Sequence, residues 1–138
     1  MEHSDIADMM QHYAAQAVEI AREFHANLDF STASCATLDA IVAEVADSMP
    51  ERVNDDELAE MSKLWGGYLG EVIRRCCGGE WRLERPPGVQ APSAALVVRG
   101  ARVFPTVKIF RRLTVGGSEN VAEFARMVIE RLGTAPIQ

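Results

Sequence analysis

The sequence lacks several features that would place it in a specialised class of protein. It has no run of about 18 apolar residues, so no membrane-spanning helix is predicted. Its N-terminus, Met1 to Asp5, is acidic and lacks the charged-then-apolar pattern of a secretory signal. Only three cysteines occur, Cys35, Cys76 and Cys77, and none belongs to a C-x-x-C pair. We therefore expect a cytoplasmic protein without a disulfide framework or a structural zinc site.

Motifs for catalysis and cofactor binding are also missing. The glycine-rich stretch from Gly66 to Gly70 lacks the Gly-Lys-Ser/Thr ending of a phosphate loop, and it falls inside a helical pattern. His3, His12 and His25 do not share a spacing typical of metal ligands, and no Ser-His-Asp or Cys-His arrangement stands out. The sequence therefore predicts no cofactor and no metal site, and it favours a protein without enzymatic activity.

The composition that remains is that of an ordinary globular domain. The chain has 138 residues, of which 48% are hydrophobic and 25% are charged, so one domain over residues 1–138 is expected. The net charge of −6 is unevenly distributed. Residues 1–60 hold 14 acidic residues against Arg22 and Arg52, whereas residues 61–138 hold 12 basic residues against 6 acidic ones. The two halves either offset each other within one molecule or form oppositely charged faces for partners.

Two helices are predicted in the acidic half. Apolar residues at three- and four-residue steps indicate an amphipathic helix from about Ser4 to Asn27. Ser31 or Ser34 is expected to cap the second helix. Pro50 ends that helix, because the residue before a proline is pushed out of helical geometry.

A third helix is the element around which the rest of the chain is predicted to be organised. Asn54 and the acids after it mark its start, and Gly78-Gly79 marks its end. Gly66, Gly67 and Gly70 lie in its interior, where each glycine costs roughly 1 kcal/mol relative to alanine. We expect the close approach of a neighbouring segment to compensate this cost, with Gly66 and Gly70 on one face.

The period then changes to that of strands. Apolar and charged residues alternate from Glu80 to Arg85, which predicts a half-buried strand with Trp81 and Leu83 inward. Two further apolar segments flank Arg99-Gly100 and are predicted to form a hairpin.

Two short helices are predicted at the C-terminal end. Pro105 suits the first turn of one helix, with Val107, Phe110 and Leu113 as its inward stripe. Ser118 is expected to cap the last helix.

Glu71 carries the strongest functional signal. A carboxylate near an apolar helix face must be paired or hydrogen-bonded, because an unpaired buried charge is costly. One interpretation is a structural ion pair with Arg74, Arg75 or Lys108. The other places Glu71 in a pocket walled by aromatic residues, where it binds a cationic or hydroxyl-bearing ligand or acts as a general base. The aromatic residues of this candidate site are Trp65, Tyr68 and Trp81.

The second candidate site is the basic cluster of Lys108, Arg111 and Arg112, expected on a common helix face, with Arg99 and Arg102 as possible additions. Basic clusters can bind phosphates. A nucleic-acid partner is nevertheless not expected, because the chain is acidic and no aromatic residues alternate with the basic ones. The cluster is therefore either a solvated face or part of a partner-binding surface.

Several short motifs together resemble a group of small bacterial domains of unknown function. They are Leu28-Asp-Phe-Ser31 with Leu38-Asp39, Leu69-Gly-Glu71, Gly78-Gly-x-Trp81, and Phe104-Pro105 with Lys108 and Arg111-Arg112-Leu113. The resemblance spans about Leu28 to Leu132. It implies a compact cytosolic α+β domain and supplies no catalytic residues.

The sequence as a whole predicts an α+β fold with three N-terminal helices, a small antiparallel sheet of about three strands, and two C-terminal helices. Small size, the missing catalytic motifs and the charge asymmetry favour a protein-binding domain of adaptor or immunity type, present as a monomer or homodimer. The alternative is a small-molecule binder or hydrolase that uses Glu71.

Overall fold

The helices and strands follow one another in the order that the sequence predicts. The computed structural model describes residues 3–134, with side chains from residue 5 onward. The elements in that range are α1 (His3–Glu23), α2 (Ser34–Ser48), α3 (Asp55–Cys77), β1 (Glu80–Glu84), β2 (Ser93–Val98), β3 (Ala101–Val103), α4 (Pro105–Thr114) and α5 (Val121–Leu132), with a 3-10 turn at Gly117–Glu119. The predicted α+β fold is confirmed.

The sheet is antiparallel throughout, in the order β1-β2-β3. Trp81 of β1 lies opposite Leu96 of β2, which in turn lies opposite Val103 of β3. The predicted hairpin turn is present: Arg99 and Gly100 both have positive φ, at 46° and 87°. Positive φ at both central residues is the geometry of a two-residue type I′ turn, whose twist matches that of the strands.

Close packing around the glycines of α3 is also confirmed. A Cβ added to Gly66 would lie 2.7 Å from the Cα of Thr106 in α4, and one added to Gly67 would lie 2.8 Å from a backbone oxygen of α1. A Cβ on Gly70 would lie only 2.0 Å from the Trp81 ring. Each glycine therefore allows the close approach of a different neighbour: α4 at Gly66, α1 at Gly67, and Trp81 of the sheet at Gly70.

The end of α1 comes earlier than predicted, at Glu23. His25 adopts a left-handed conformation with φ of 58°. The backbone N–H of Ala26 then donates to the carbonyl of Ala21 at 3.0 Å, the 6→1 bond of a Schellman ending. The apolar residues Phe24 and Leu28 extended the helical pattern in the sequence. In the structure Phe24 contacts the core from the turn, and Leu28 belongs to the core from the segment that follows it.

The predicted side-chain cap of α2 is wrong, whereas that of α3 is present. The N-cap residue of α2 is Ala33, which makes no side-chain cap hydrogen bond; the hydroxyl of Ser31 instead accepts a hydrogen bond from the N–H of Ser34 at 3.1 Å, within the turn that leads into the helix. Ser34 uses its own hydroxyl differently, donating to the carbonyl of Ser31 at 2.6 Å. The predicted cap of α3 is present, since Asn54 Oδ1 accepts from the N–H of Asp56 at 2.7 Å.

The predicted cap of α5 is wrong. Ser118 lies within the 3-10 turn, and Asn120 caps the helix by accepting a hydrogen bond from the N–H of Glu123 at 2.9 Å. The turn that follows α4 occupies the residues on which the prediction placed the first turn of α5.

Two predicted inward residues prove to be exposed. Leu83 is 42% exposed, although it lies beside the core residues Ile6 and Met10 of α1 in a pocket that is open to solvent. In α4 the buried face is formed by Thr106, Ile109 and Leu113 with Pro105, whereas Phe110 is 44% exposed. The contact of Thr106 with the notch at Gly66 fixes the rotation of α4, and this rotation turns Phe110 outward.

A single cluster of buried apolar side chains joins the elements. It includes Met10 of α1, Leu38 of α2, Trp65 of α3, Leu96 of β2 and Val121 of α5. Over residues 3–134, none of the helices combines the length and the apolar character that a membrane span requires.

Candidate functional site

Glu71 lies where α3 meets the sheet, and only 1% of it is exposed. Its carboxylate receives two parallel bonds from Arg74 one helical turn later, from Nε to Oε2 at 2.7 Å and from Nη2 to Oε1 at 3.0 Å. The indole Nε1 of Trp81 donates a third bond to Oε2 at 2.9 Å. The paired arrangement that the sequence offered as one interpretation is present, with Arg74 as the partner.

These bonds determine the protonation state of Glu71. Burial raises the pKa of this carboxyl group, but the hydrogen bonds from Arg74 and Trp81 and the charges of Arg74 and Arg75 outweigh it, so the net pKa lies below the ordinary value. Glu71 is therefore ionised at neutral pH. A general base needs a pKa near the working pH and access to the proton that it removes. Glu71 meets neither requirement, because its pKa is lowered and its carboxylate is buried.

The three aromatic residues predicted around Glu71 belong to the core. Trp65, Tyr68 and Trp81 are each at most 2% exposed. Of these, Trp81 is hydrogen-bonded to Glu71. The Tyr68 hydroxyl instead contacts the hydroxyl of Ser34 at 2.7 Å and accepts the N–H of Phe30 at 2.7 Å. Through these two hydrogen bonds Tyr68 holds the segment between α1 and α2 against α3.

A cleft of about 380 Å³ lies on the solvent side of Glu71. Its walls include Phe30, Arg74 and Arg75 together with residues of α1. The guanidinium carbon of Arg75 sits 3.6 Å from the centre of the Phe30 ring, a cation–π contact. Two acids, Glu19 and Glu71, line the cleft together with the two arginines, and Glu71 is paired with Arg74, so the lining has no excess of either charge.

The predicted basic cluster is divided between two acidic partners. Lys108 Nζ lies 2.5 Å from Glu119 Oε2, and Arg111 Nε lies 2.6 Å from Glu119 Oε1. Hydrogen bonds from these two cations hold the pKa of Glu119 below its ordinary value. Lys108 also lies over the ring of Phe124, 5.3 Å from its centre.

Lys108, Arg111 and Arg112 stand at positions i, i+3 and i+4 of α4 and are therefore neighbours on the helix, as predicted, but Arg112 pairs with a different acid from the other two. Arg112 is buried, and its Nε donates to Asp39 Oδ1 of α2 at 2.9 Å. The N–H of Val121 donates to the same oxygen at 2.9 Å, and Asn120 Nδ2 donates to Oδ2 at 3.2 Å. Asp39 thus connects α2, α4 and the start of α5.

Sequence reasoning gave Asp39 no role of its own. The available signal was an acid beside the core residue Leu38, in a chain whose second half has surplus arginines. Arg99 and Arg102 are likewise engaged: Arg99 Nη1 donates to the Cys77 carbonyl at 2.9 Å and Arg99 Nη2 to the Gly133 carbonyl at 3.1 Å, while Arg102 pairs with Glu84.

The exposed side of α4 forms a surface that the sequence did not predict, because Val107 and Phe110 were expected inward. This outer α4 surface consists of Val107, Phe110, Arg111 and Val115, with Lys108 at its edge. Phe110 is 44% exposed and Val115 is 61% exposed. Beside it lies a groove of about 410 Å³ that α4 forms with β3 and α5.

The cysteines and possible metal ligands show no reactive arrangement. Burial raises the pKa of the Cys35 thiol to about 11 and also raises that of Cys77, so both are protonated at neutral pH. Among residues 3–134, no group of three or more histidine, cysteine or acidic side chains is placed to hold a metal ion.

No protein-family model, curated protein or solved structure matches this chain. The resemblance to small bacterial domains of unknown function stays a prediction.

Proposed function

We propose that this protein is a non-enzymatic, cytoplasmic protein-binding domain, and that its outer α4 surface binds the partner. The partner segment carries an apolar anchor flanked by acidic side chains. The observation that supports this most directly is the exposure of Phe110 beside Val107, on a helix whose opposite face already fills the core.

The apolar character of both faces of α4 supports a binding role. Thr106, Ile109 and Leu113 account for the packing of α4 within the fold. Val107 and Phe110 therefore have no comparable structural task. Single exposed apolar residues are normal, but aromatic and arginine side chains side by side are characteristic of protein interfaces. Phe110 and Arg111 are such a pair.

The charges at this surface favour an acidic partner. Lys108 and Arg111 share the single carboxylate of Glu119, so one positive charge of this group is not offset within it. The side chain of Arg111 is 58% exposed and can form a bidentate bond with a partner carboxylate. Electrostatic complementarity of this kind mainly sets specificity and the rate of association.

The chemistry of Glu71 supports the absence of catalysis. This carboxylate was the leading candidate for a general base, and it is fully engaged with Arg74 and Trp81. Its role in the proposal is to hold α3 against the sheet, and thereby to support the helix on which α4 rests.

Paired capture experiments with the wild type and Phe110→Asp test this function. The substitution places a negative charge where the partner's apolar anchor and acids are expected, so binding should weaken by about 30-fold, the size of an interface hot spot. Met127→Asp is the matched control, because Met127 is also a large exposed apolar residue, 39% exposed, but lies on α5. A photo-cross-linker at position 110 should become attached to an acidic, apolar segment of the partner.

The proposal fails if Phe110→Asp retains every specific partner of the wild type, or if the cross-linked segment is basic. Loss of binding in Met127→Asp as well would indicate a non-specific effect of added charge. Circular dichroism of all variants keeps a binding defect separate from a folding defect.

Binding of a small anion in the cleft beside Glu71 is the second candidate function. The observation that favours it is Arg75, whose guanidinium lies over the Phe30 ring at the cleft, although Glu19 also lines the cleft and Arg74 is paired with Glu71. In that case Glu71 orients Arg74, and Arg75 contacts the ligand. A screen of small organic anions by thermal shift would test it: ligands that raise the melting temperature of the wild type should have no effect on Arg75→Glu, whereas Arg126→Glu on α5 should respond like the wild type.

A further inference from the structure

We infer that the partner of the outer α4 surface is a second copy of this chain, and that α4 of one copy docks between α1 and α3 of the other. This inference rests on the proposed function and names its partner. The receiving surface, called the α1–α3 groove, has a volume of about 450 Å³. It is lined by Tyr13, Gln16, Ile20, Met61 and Leu64, with Glu19 and Glu60 at its edges.

The shape of the α1–α3 groove suits a short helix. All of its lining residues belong to the two helices α1 and α3, and they include the apolar side chains of Ile20, Met61 and Leu64. Grooves of this kind accept an amphipathic helix through anchors at positions i, i+3 and i+4. The outer α4 surface presents such a set in Val107, Phe110 and Arg111, in an α4 that is already folded.

The charges of the two surfaces are opposite. The two acids that line the α1–α3 groove are paired within their own helices, Glu19 with Arg22 at 3.0 Å and Glu60 with Lys63 at 3.6 Å. The helix segments on either side of the groove still carry an excess of acids, which are Asp5, Asp8 and Glu23 in α1 and Asp55, Asp56 and Glu57 at the start of α3. The hydroxyl of Tyr13 donates to Glu60 Oε2 at 3.0 Å and orients this acid at the rim. The outer α4 surface offers Arg111 and Lys108. The uneven distribution of charge along the sequence thus places acids around the α1–α3 groove and cations on the outer α4 surface, and these two surfaces attract each other.

The two surfaces do not meet within one molecule. They have no residue in common. α1 contacts α3 at Gly67, whereas α4 contacts α3 at Gly66 through Thr106, so the two helices pack on different sides of α3. An acidic groove and a basic helix held apart in this way can combine only between copies.

Sedimentation and light scattering of the full chain at 10–500 µM test this inference. In low salt the wild type should exceed the 15.1 kDa of one chain, as a closed pair or a growing series. Raising the salt to 0.5 M should weaken association by about tenfold or more, because the rim charges are exposed to screening. Phe110→Asp and Met61→Asp should each shift the association constant by at least tenfold.

A mixing experiment identifies the contact. Phe110→Asp retains the α1–α3 groove and Met61→Asp retains the outer α4 surface, so an equimolar mixture should form a 1:1 complex at concentrations where each variant alone is still largely monomeric. Because Met61 is half-buried, Gln16→Arg, at an exposed position of the groove, serves as a second variant that does not disturb the core. Met127→Asp should associate like the wild type.

The inference is overturned if the wild type remains monomeric at 500 µM, or if the mixture fails to associate where the wild type does. A monomeric wild type combined with a partner that Phe110→Asp loses would reject self-association and leave the proposed function standing. A wild type that captures nothing through Phe110 and does not self-associate would reject both.

Discussion

At the scale of single residues, Glu71 joins helix α3 to the sheet. Its carboxylate is nearly inaccessible, and its oxygens accept bonds from Arg74 and from Trp81 ten residues further along the chain. A buried acid that loses its positive partner leaves an uncompensated charge, and an arginine that loses its acid leaves unsatisfied donors. The consequence is that stability, and not chemistry, should respond to changes at this position.

We expect Glu71→Gln to lower the free energy of unfolding by about 2–3 kcal/mol at pH 7, below the range for a fully buried pair, because the Arg74 side chain is 32% exposed. The amide still accepts the Trp81 bond, but it no longer carries the charge that attracts Arg74. Urea denaturation followed by tryptophan fluorescence measures the change. Glu44→Gln, at an exposed acid of α2, should change stability by less than about 0.5 kcal/mol.

The pH dependence of this pair has a definite sign. The pKa of Glu71 in the folded state lies below its ordinary value of 4.5. The stabilisation is therefore complete above about pH 4.5 and is lost as the pH falls through the folded-state pKa. The stability difference between wild type and Glu71→Gln should be constant near neutral pH and shrink on acidification below pH 4.5. A difference that stays constant down to acid unfolding would contradict the ion pair.

At the scale of elements, the glycines of α3 determine how the neighbouring segments approach. We expect Gly70→Ala to lower the free energy of unfolding by about 2–3 kcal/mol, although alanine is the better helix former, because its Cβ would overlap the buried Trp81 ring. The matched control is Gly117→Ala, since a Cβ there meets nothing within 4 Å. Thermal melts of both variants measure the difference, and a neutral Gly70→Ala would show that the Trp81 ring can shift freely.

Helix α4 shows why an element can be predicted while its orientation cannot. The start at Pro105 and the amphipathic character of α4 follow from local sequence. Val107, Phe110 and Leu113 form one apolar stripe and Thr106, Ile109 and Leu113 form another, and the sequence gives no reason to prefer the second. Which stripe faces the core depends on the close contact between Thr106 and Gly66, which lies about forty positions earlier in the chain. The orientation of α4 is therefore set by tertiary packing. The same choice leaves Phe110 outside and creates the proposed binding surface.

At the scale of the whole molecule, Asp39 holds the C-terminal helices onto the N-terminal half. It accepts bonds from Arg112, Asn120 and the backbone of Val121. We expect Asp39→Ala to lower the free energy of unfolding by about 3 kcal/mol, because Arg112 then remains buried without its acid and the first turn of α5 loses a partner.

Hydrogen exchange provides the measurement for Asp39→Ala: protection should fall first in α5 and the end of α4. Asp47→Ala, at an exposed position of the same helix, is the control and should leave protection unchanged. Uniform loss of protection across all elements would show that Asp39 does not act locally as a link.

The order of elements was predictable because it depends on local signals: the cap at Asn54, the alternation after Gly79 and the Arg99-Gly100 turn. The ion pair of Glu71 with Arg74 was also within reach, since the two residues are one helical turn apart. The partners of Asp39 were not, because they lie on other elements and only folding brings them together. The exposure of Leu83 was missed for a related reason, since alternation identifies which side chains share a face but not how completely neighbouring elements cover them.

The crowding around α3 also has a consequence for ancestry. The backbones of α4 and α1 lie against Gly66 and Gly67, and the indole ring of Trp81 lies against Gly70. Related proteins can therefore replace many surface residues, but they can replace few of these glycines. We expect distant kin to be recognisable by small residues at positions 66, 67 and 70, an acid at 71 and a tryptophan at 81, even where the remaining sequence has diverged.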